Sequence, residues 1–307
     1  MCALFHSYFE DYRHYLRFEK RYSAHTLAAY LSDLEQFQDY LYPADPNNHL
    51  TEENRLPLRE VGLIQVRNWL HSLREQGQEA RSINRKRSSL NGYFLFLMRL
   101  GHCDKNPVAL MHGMRLPQRI PQFLRPSETE QLFESVTFPE SFEGQTERLI
   151  LELLYSCGLR RSELSGLRET DIEWSLQQLR VWGKGGKERL IPLGAALLDQ
   201  LRDYLSVKAQ QSDCNRDALF VTQTGKGIND NQVYRLAKKY LAQVSSLKQK
   251  SPHILRHTFA THLLNNGANI QAIKELLGHS SIAATQIYTH LNIDKLKKVH
   301  KLSHPKG

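Results

Sequence analysis

Apolar residues recur at three- and four-residue intervals through most of this chain. In residues 23–41, Leu27, Tyr30, Leu31, Leu34, Phe37 and Leu41 fall on one helical face, and Ser23 stands where an N-cap residue belongs. Residues 5–19 carry Phe5, Tyr8, Phe9, Tyr12 and Leu16 in the same rhythm. Residues 61–73 predict a third helix, and residues 82–100 a fourth that Gly101 stops. Four segments with one apolar stripe each predict a small helical bundle.

The rhythm breaks at residues 113–126, GMRLPQRIPQFLRP, where three prolines and a leading glycine exclude regular structure. Arg115, Arg119 and Arg125 make this segment basic, and it holds no acid. It reads as a linker able to follow an anionic backbone. Ser127 with Glu130 predicts a capping box opening the next helix. Residues 147–157 are strongly apolar on one side. The period then changes over residues 176–193, LQQLRVWGKGGKERLIPL. Leu179, Val181, Leu190 and Ile191 suit two short strands, and the glycines at 183, 185 and 186 supply the turn between them. Helical patterns return at residues 195–204 and 230–244. The fold class is therefore mainly α. A four-helix N-terminal domain (1–112) is joined by the linker (113–126) to an α-rich second domain (127–307) with a small antiparallel β-sheet.

Composition narrows the class. The 307 residues accommodate two domains, and 40 % hydrophobic with 24 % charged residues suits a globular protein with buried cores. Lys and Arg outnumber Asp and Glu by 41 to 32, which favours an anionic partner. Cys2, Cys103, Cys157 and Cys214 form no CxxC pair and no zinc-ligand spacing, so neither a disulfide scaffold nor a metal site is expected. Glu10, Asp11 and Arg13 interrupt any leader-like apolar run. No stretch approaches the roughly 20 apolar residues that span a bilayer. A cytoplasmic protein without membrane insertion is expected.

Several local signals carry chemistry, each with an ordinary structural explanation when taken alone. Arg85, Lys86 and Arg87 open the fourth helix. Helical geometry spreads them over more than one face, and they suit either a solvated surface or a DNA backbone. In CGLRRSELSGL (157–167), Arg160 sits at a helix junction with Glu163 one turn on, the spacing of a common surface ion pair. GKGGK, with Lys184 in the turn, lacks the arrangement of a nucleotide-binding loop. In SPHILRHTFATHLL (251–264), Ser251 caps a helix and Pro252 suits its first position. His253 and Arg256 then share a face near the positive end of the helix dipole, a place suited to phosphate. His257 and His262 point elsewhere and read as structural. In LLGHSS (276–281), Gly278 ends a helix and His279 follows. TQIYTHL (285–291) places Tyr288 on the next short helix.

Together, Arg160, Lys184, His253, Arg256, His279 and Tyr288 in that order resemble the tyrosine recombinase (phage integrase) family over nearly the whole chain. The strings GLRRSEL, GKGGKERLIPLG, SPHILRHTFATHLL and LLGHSSIAATQIYTH are most similar to the bacterial Xer recombinases. The resemblance makes the first domain a core-binding DNA clamp and the second a catalytic domain. It assigns the catalytic role to Arg160 rather than its neighbour Arg161. It implies that Tyr288 attacks a DNA phosphorus to give a 3′-phosphotyrosine. Arg160, Arg256, His253 and His279 would stabilise the transition state, Lys184 would act as general acid, and Glu163 would support the site from behind. Arg85, Lys86, Arg87, Arg115 and Arg119 would contact DNA. Neither a metal nor ATP nor any other cofactor is implied.

The implied partners are a double-stranded recombination site and a second Xer recombinase, in a two-plus-two heterotetramer such as a XerC–XerD complex or in a homotetramer. A septum-associated DNA translocase is a further implied partner. Ile293, Leu296, Val299 and Leu302 give the tail an apolar face for a neighbouring subunit. The implied role is resolution of chromosome and plasmid dimers at cell division. Three alternatives stay open: a phage or transposon integrase, a type IB topoisomerase and a non-catalytic DNA-binding protein.

Overall fold

The computed structural model describes residues 4–43, 56–116, 122–183, 186–211 and 214–278, with 303 and 305. The chain divides into two compact units, Met1–Arg119 and Ile120–Gly307.

In the first unit, α1 (Phe9–His14) is flanked by a 3-10 turn (Phe5–Tyr8) and a π turn (Tyr15–Glu19), so the first predicted helix is broken. The helix α2 (Ala24–Leu41) starts at its expected cap, where the Ser23 hydroxyl accepts from the Thr26 N–H at 3.2 Å. The helix α3 (Leu63–Glu75) starts two residues later than the apolar pattern suggests. Val61 is extended and buried, and the Gln65 side chain caps Gly62 instead. The helix α4 (Ala80–Arg99) ends at Gly101, whose φ of 74° lets the His102 N–H reach the Leu97 carbonyl at 2.9 Å. Phe5, Phe37, Trp69, Tyr93 and Phe94 form the centre of this unit.

Polar groups are also drawn inside it. Asp33 on α2 is fully buried and accepts from Ser89 on α4 at 2.7 Å, from Arg85 and from Lys86. Lys86 bonds Gln36 as well, and only 4 % of its side chain is exposed. Its assignment to a DNA contact is thereby corrected: the ammonium neutralises a buried carboxylate and does not face solvent. Arg87 is half-buried and donates to the Met111 carbonyl. Arg85 keeps an exposed side chain while paired to Asp33.

In the second unit, Leu124 is fully buried, its N–H held by Thr258 at 2.9 Å and its carbonyl facing His262 Nε2 at 3.0 Å. The end of the expected linker is thus part of this unit's core. The cap expected at Ser127 also moves. The helix α5 (Pro126–Glu130) takes Arg125 as N-cap, with Glu128 accepting its N–H at 2.8 Å and Pro126 at the first position.

The central helix is α6 (Phe142–Ser156), buried on nearly every face from Leu149 to Ser156. The short α7 (Arg161–Ser165) follows it. The sheet comes next: β1 (Ile172–Glu173), β2 (Gln178–Trp182) and β3 (Glu188–Pro192), antiparallel in that order. Strand β2 faces β3 with Val181 opposite Arg189 and Leu179 opposite Ile191. The sequence pattern predicted β2 and β3; β1, two residues long, is an addition. The helices α8 (Ala195–Ala209), α9 (Asp230–Val244), α10 (Pro252–Asn265) and α11 (Ile270–Leu277) complete the unit. Helix α6 packs against α8 and α10. Among the described residues no helix is long and apolar enough to cross a membrane.

Candidate active site

Three turns of helix place the site. Cys157 ends α6, and Gly158 follows with a φ of +56° that reverses the chain. Arg160 is then the extended N-cap of α7. Its N–H donates to Glu163 Oε2 at 2.8 Å, and its guanidinium donates to Glu163 Oε1 at 2.6 Å. The spacing of three that read as an ordinary ion pair is here also a cap: the buried Glu163 carboxylate accepts both the Arg160 backbone N–H and its guanidinium, and Arg160 reaches outward.

Arg256, one turn into α10, points back to the same place. Its guanidinium donates to the Gly158 carbonyl at 2.6 Å and to the Leu277 carbonyl at 2.5 Å, and lies 3.7 Å from Glu163 Oε2. Burial and the nearby Arg160 charge pull the Arg256 pKa down to about 10, partly offset by Glu163. The guanidinium nevertheless stays charged at neutral pH. Arg161 pairs instead with Asp230 on α9 at 3.3 Å. The two adjacent arginines thus take different carboxylates, Arg160 the buried Glu163 and Arg161 Asp230.

His253 lies on the first turn of α10, exposed at its edge. Partial desolvation, followed by the charges of Arg161, Arg256 and Arg160, holds its pKa below the ordinary imidazole value. This favours the neutral imidazole, the form that can take a proton. His262 is structural: the residue is 3 % exposed and its ring lies between the Tyr155 hydroxyl and the Leu124 carbonyl, both at 3.0 Å.

The structure brings Arg160, Glu163, His253 and Arg256 to one face of the second unit. Lys184, His279 and Tyr288 lie outside the described residues, as do Arg119 and the tail positions Ile293, Leu296, Val299 and Leu302. Their flanks are described. Gly183 on one side of the hairpin turn donates its N–H to the Lys187 carbonyl at 2.7 Å. Helix α11 ends at Gly278, left-handed with φ 63°. Arg115 is exposed. Among the described residues no group of three His, Cys, Asp or Glu side chains could hold a metal ion.

One residue of the site escaped the sequence reading. Arg189 on β3 donates to both Glu163 oxygens, at 2.9 and 2.7 Å. The available signal was that Arg189 shares a strand face with the buried Ile191. Nothing local announces its partner. Burial pushes the Glu163 carboxyl up, but the Arg189 guanidinium and the Arg160 bonds override this and bring its pKa to about 2.

Gly158 is the tightest point of the arrangement. A Cβ there would lie 2.5 Å from Phe259 Cδ1 and 3.0 Å from Leu277 Cδ2. Left-handed backbone costs an L residue about 1–2 kcal/mol, and overpacking a core adds about 1–3 kcal/mol. Gly158→Ala is therefore expected to lower the urea midpoint and to shift the carbonyl that Arg256 holds. A variant as stable as the wild type would show that this contact is not made.

The chain belongs to the phage integrase family. The family profile matches residues 122–295, and the profile of the phage integrase N-terminal SAM-like domain matches residues 9–101. Similar curated proteins are named tyrosine recombinase XerC. That of Chlorobaculum tepidum is 35 % identical over 314 residues, covering 95 % of this chain and 93 % of that protein. That of Pelobacter propionicus is 39 % identical over 296 residues, covering 96 % and 94 %. Among solved structures, a XerH site-specific recombinase bound to palindromic difH substrate shares the fold with a TM-score of 0.70. It is 20 % identical and covers 96 % of this chain and 83 % of that one.

Proposed function

We propose that this chain is a site-specific tyrosine recombinase that cuts and rejoins duplex DNA without metal or ATP. The observation that carries this reading is the convergence of Arg160 and Arg256 on one buried carboxylate beside the start of α10. Two guanidinium groups held there can each bind a nonbridging phosphate oxygen and stabilise charge on the pentavalent phosphorus. Tyr288 Oη attacks in line, forming the O–P bond as the bond to the 5′-oxygen breaks. The tyrosine proton passes to a base, for which neutral His253 is suited, and Lys184 protonates the leaving 5′-oxygen. His279 adds a hydrogen bond to the phosphate. The phosphotyrosine conserves the energy of the broken diester, so rejoining needs no ATP.

By likeness to the XerC relatives, the partner is a second Xer recombinase in a tetramer on two duplexes, the tail of residues 293–302 docks on a neighbouring subunit, and the role is dimer resolution at cell division. A septum-associated DNA translocase is proposed as the activating partner. Arg85, Arg87, Arg115 and Arg119 are the proposed backbone contacts, and Lys86 is not among them. The protein is proposed to act in the cytoplasm.

The test begins with DNA sites selected by the protein from a genomic fragment library. A nicked suicide duplex carrying the selected site should trap a covalent adduct at an undiminished rate in excess EDTA. No adduct from the wild type leaves a non-catalytic DNA-binding protein, and an adduct that EDTA abolishes removes the metal-free mechanism. Relaxation of a supercoiled plasmid without exchange between paired sites would point to a topoisomerase.

A further inference from the structure

Arg189 lies on β3, five residues beyond Lys184 in the sequence. Its side chain is 9 % exposed and fully engaged. Nη1 and Nη2 grip the two Glu163 oxygens, and Nε donates to the Leu276 carbonyl at 2.8 Å. The same Glu163 oxygen that Arg189 holds at 2.9 Å also accepts the Arg160 guanidinium at 2.6 Å. The orientation of Arg160 is therefore set by a carboxylate that Arg189 has already fixed.

The third bond reaches a different element. Leu276 and Leu277 are the last residues of α11, where carbonyls have no partner within the helix. Arg189 takes the first of these carbonyls and Arg256 the second. Cations at this end also suit the helix dipole. Gly278 follows, and a Cβ on it would come 3.1 Å from Arg189 Cδ. The Arg189 stem thus lies against the chain as it leaves α11. His279 is the next residue, and Tyr288 is further along the same segment.

We propose that Arg189 is a positioning residue for phosphoryl transfer, fastening the phosphate-binding arginines, through Glu163, to the end of α11 from which the nucleophile's segment departs. This role rests on the recombinase reading. Three donors in a rigid planar fork are needed, and a lysine, with one point charge, cannot make the same set of bonds. Loosening of a reacting geometry is costly: a 1 Å misplacement can slow chemistry about 100-fold.

Two variants test it, Arg189→Lys and Arg189→Gln, on the nicked duplex that carries the protein-selected site. Single-turnover adduct formation should slow about 10- to 100-fold, while half-saturation in DNA binding moves less than about 3-fold. The pH–rate profile supplies a readout that mere fold support would not move. The charged groups facing Glu163 are Arg160 at the start of α7, Arg189 from β3 and Arg256 from α10, and α11 contributes carbonyls. Without Arg189 the carboxylate loses its main counter-charge and protonates more readily. The acid limb of Arg189→Gln should move toward neutral pH, whereas Arg189→Lys keeps a charge nearby and should shift less.

Adduct formation at the wild-type rate in both variants overturns the proposal. So does a parallel loss of DNA binding, cleavage and melting temperature, which marks fold support alone. If the glutamine variant does not fold, the lysine variant decides by its rate. Absence of an adduct from the wild type itself removes the recombinase reading, a result distinct from a defect confined to the variants.

Discussion

Tyr288→Phe is expected to eliminate the covalent DNA adduct while leaving DNA binding within about 2-fold of the wild type. The substitution keeps an aromatic ring and removes only Oη. In this mechanism no bond to phosphorus forms without that oxygen, so the rate should fall at least about 10³-fold, to the floor of a gel assay. Tyr12, Tyr93, Tyr155, Tyr204 and Tyr240 are packed in the two cores. Burial raises all five hydroxyl pKa values, those of Tyr204 and Tyr240 to about 12, the latter with help from the Glu147 carboxylate. Binding should survive because, in the proposed mechanism, the arginines hold the phosphate. The measurement is denaturing gel analysis of the nicked duplex beside a mobility-shift titration. An adduct at wild-type yield from the phenylalanine variant would move the nucleophile elsewhere.

Glu163→Ala is expected to be the most destabilising single change at the site. Glu163 is the carboxylate on which Arg160, Arg189 and Arg256 converge. Its removal leaves two guanidinium groups, each with only 9 % of the side chain exposed, without their counter-charge. Breaking a buried pair by removing one partner costs about 3–5 kcal/mol, which for a unit of this size lowers the melting temperature by roughly 10 °C. The sign with pH is defined. The folded carboxyl sits at about 2, against 4.5 for an unperturbed one. Its stabilisation is thus complete above about pH 4.5 and is lost as pH falls toward 2. Wild type should lose stability across that window, and the alanine variant should lack this component. Added inorganic phosphate should raise the variant's melting temperature more than the wild type's, because an oxyanion supplies the missing charge. A melting shift under about 2 °C would show that the arginines do not depend on Glu163.

The elements most legible in the sequence are those whose causes lie within a turn or two. The bounds of α9, the Ser23 cap of α2, Pro252 at the start of its helix and the left-handed Gly278 all follow from causes within a few residues: a side chain that caps backbone, a ring that fixes φ, a residue without Cβ. The β2–β3 hairpin is legible for the same reason, as alternation around a glycine turn. The bland reading of His262 was also local, resting on its helical face. The six motif residues were legible only as an ordered set, since each alone has an ordinary explanation.

What stayed hidden depends on partners far along the chain. Lys86 looked like its neighbours Arg85 and Arg87, until Asp33, 53 residues earlier, drew it inside. Leu124 looked like part of a linker, although its bond to Thr258 spans 134 residues. Strand β1 is too short to carry a period, and it exists because β2 pairs with it.

The amino-acid sequence by itself thus determined the helical rhythm, the caps, the hairpin and the order of the candidate reacting groups, because each depends on short-range geometry. The tertiary structure alone decided that Arg161 pairs with Asp230, that Arg256 reaches across 98 residues to the Gly158 carbonyl, and that Arg189 joins Arg160 at Glu163. A buried charge takes whichever opposite charge folding brings within hydrogen-bond reach, and no local pattern encodes that choice.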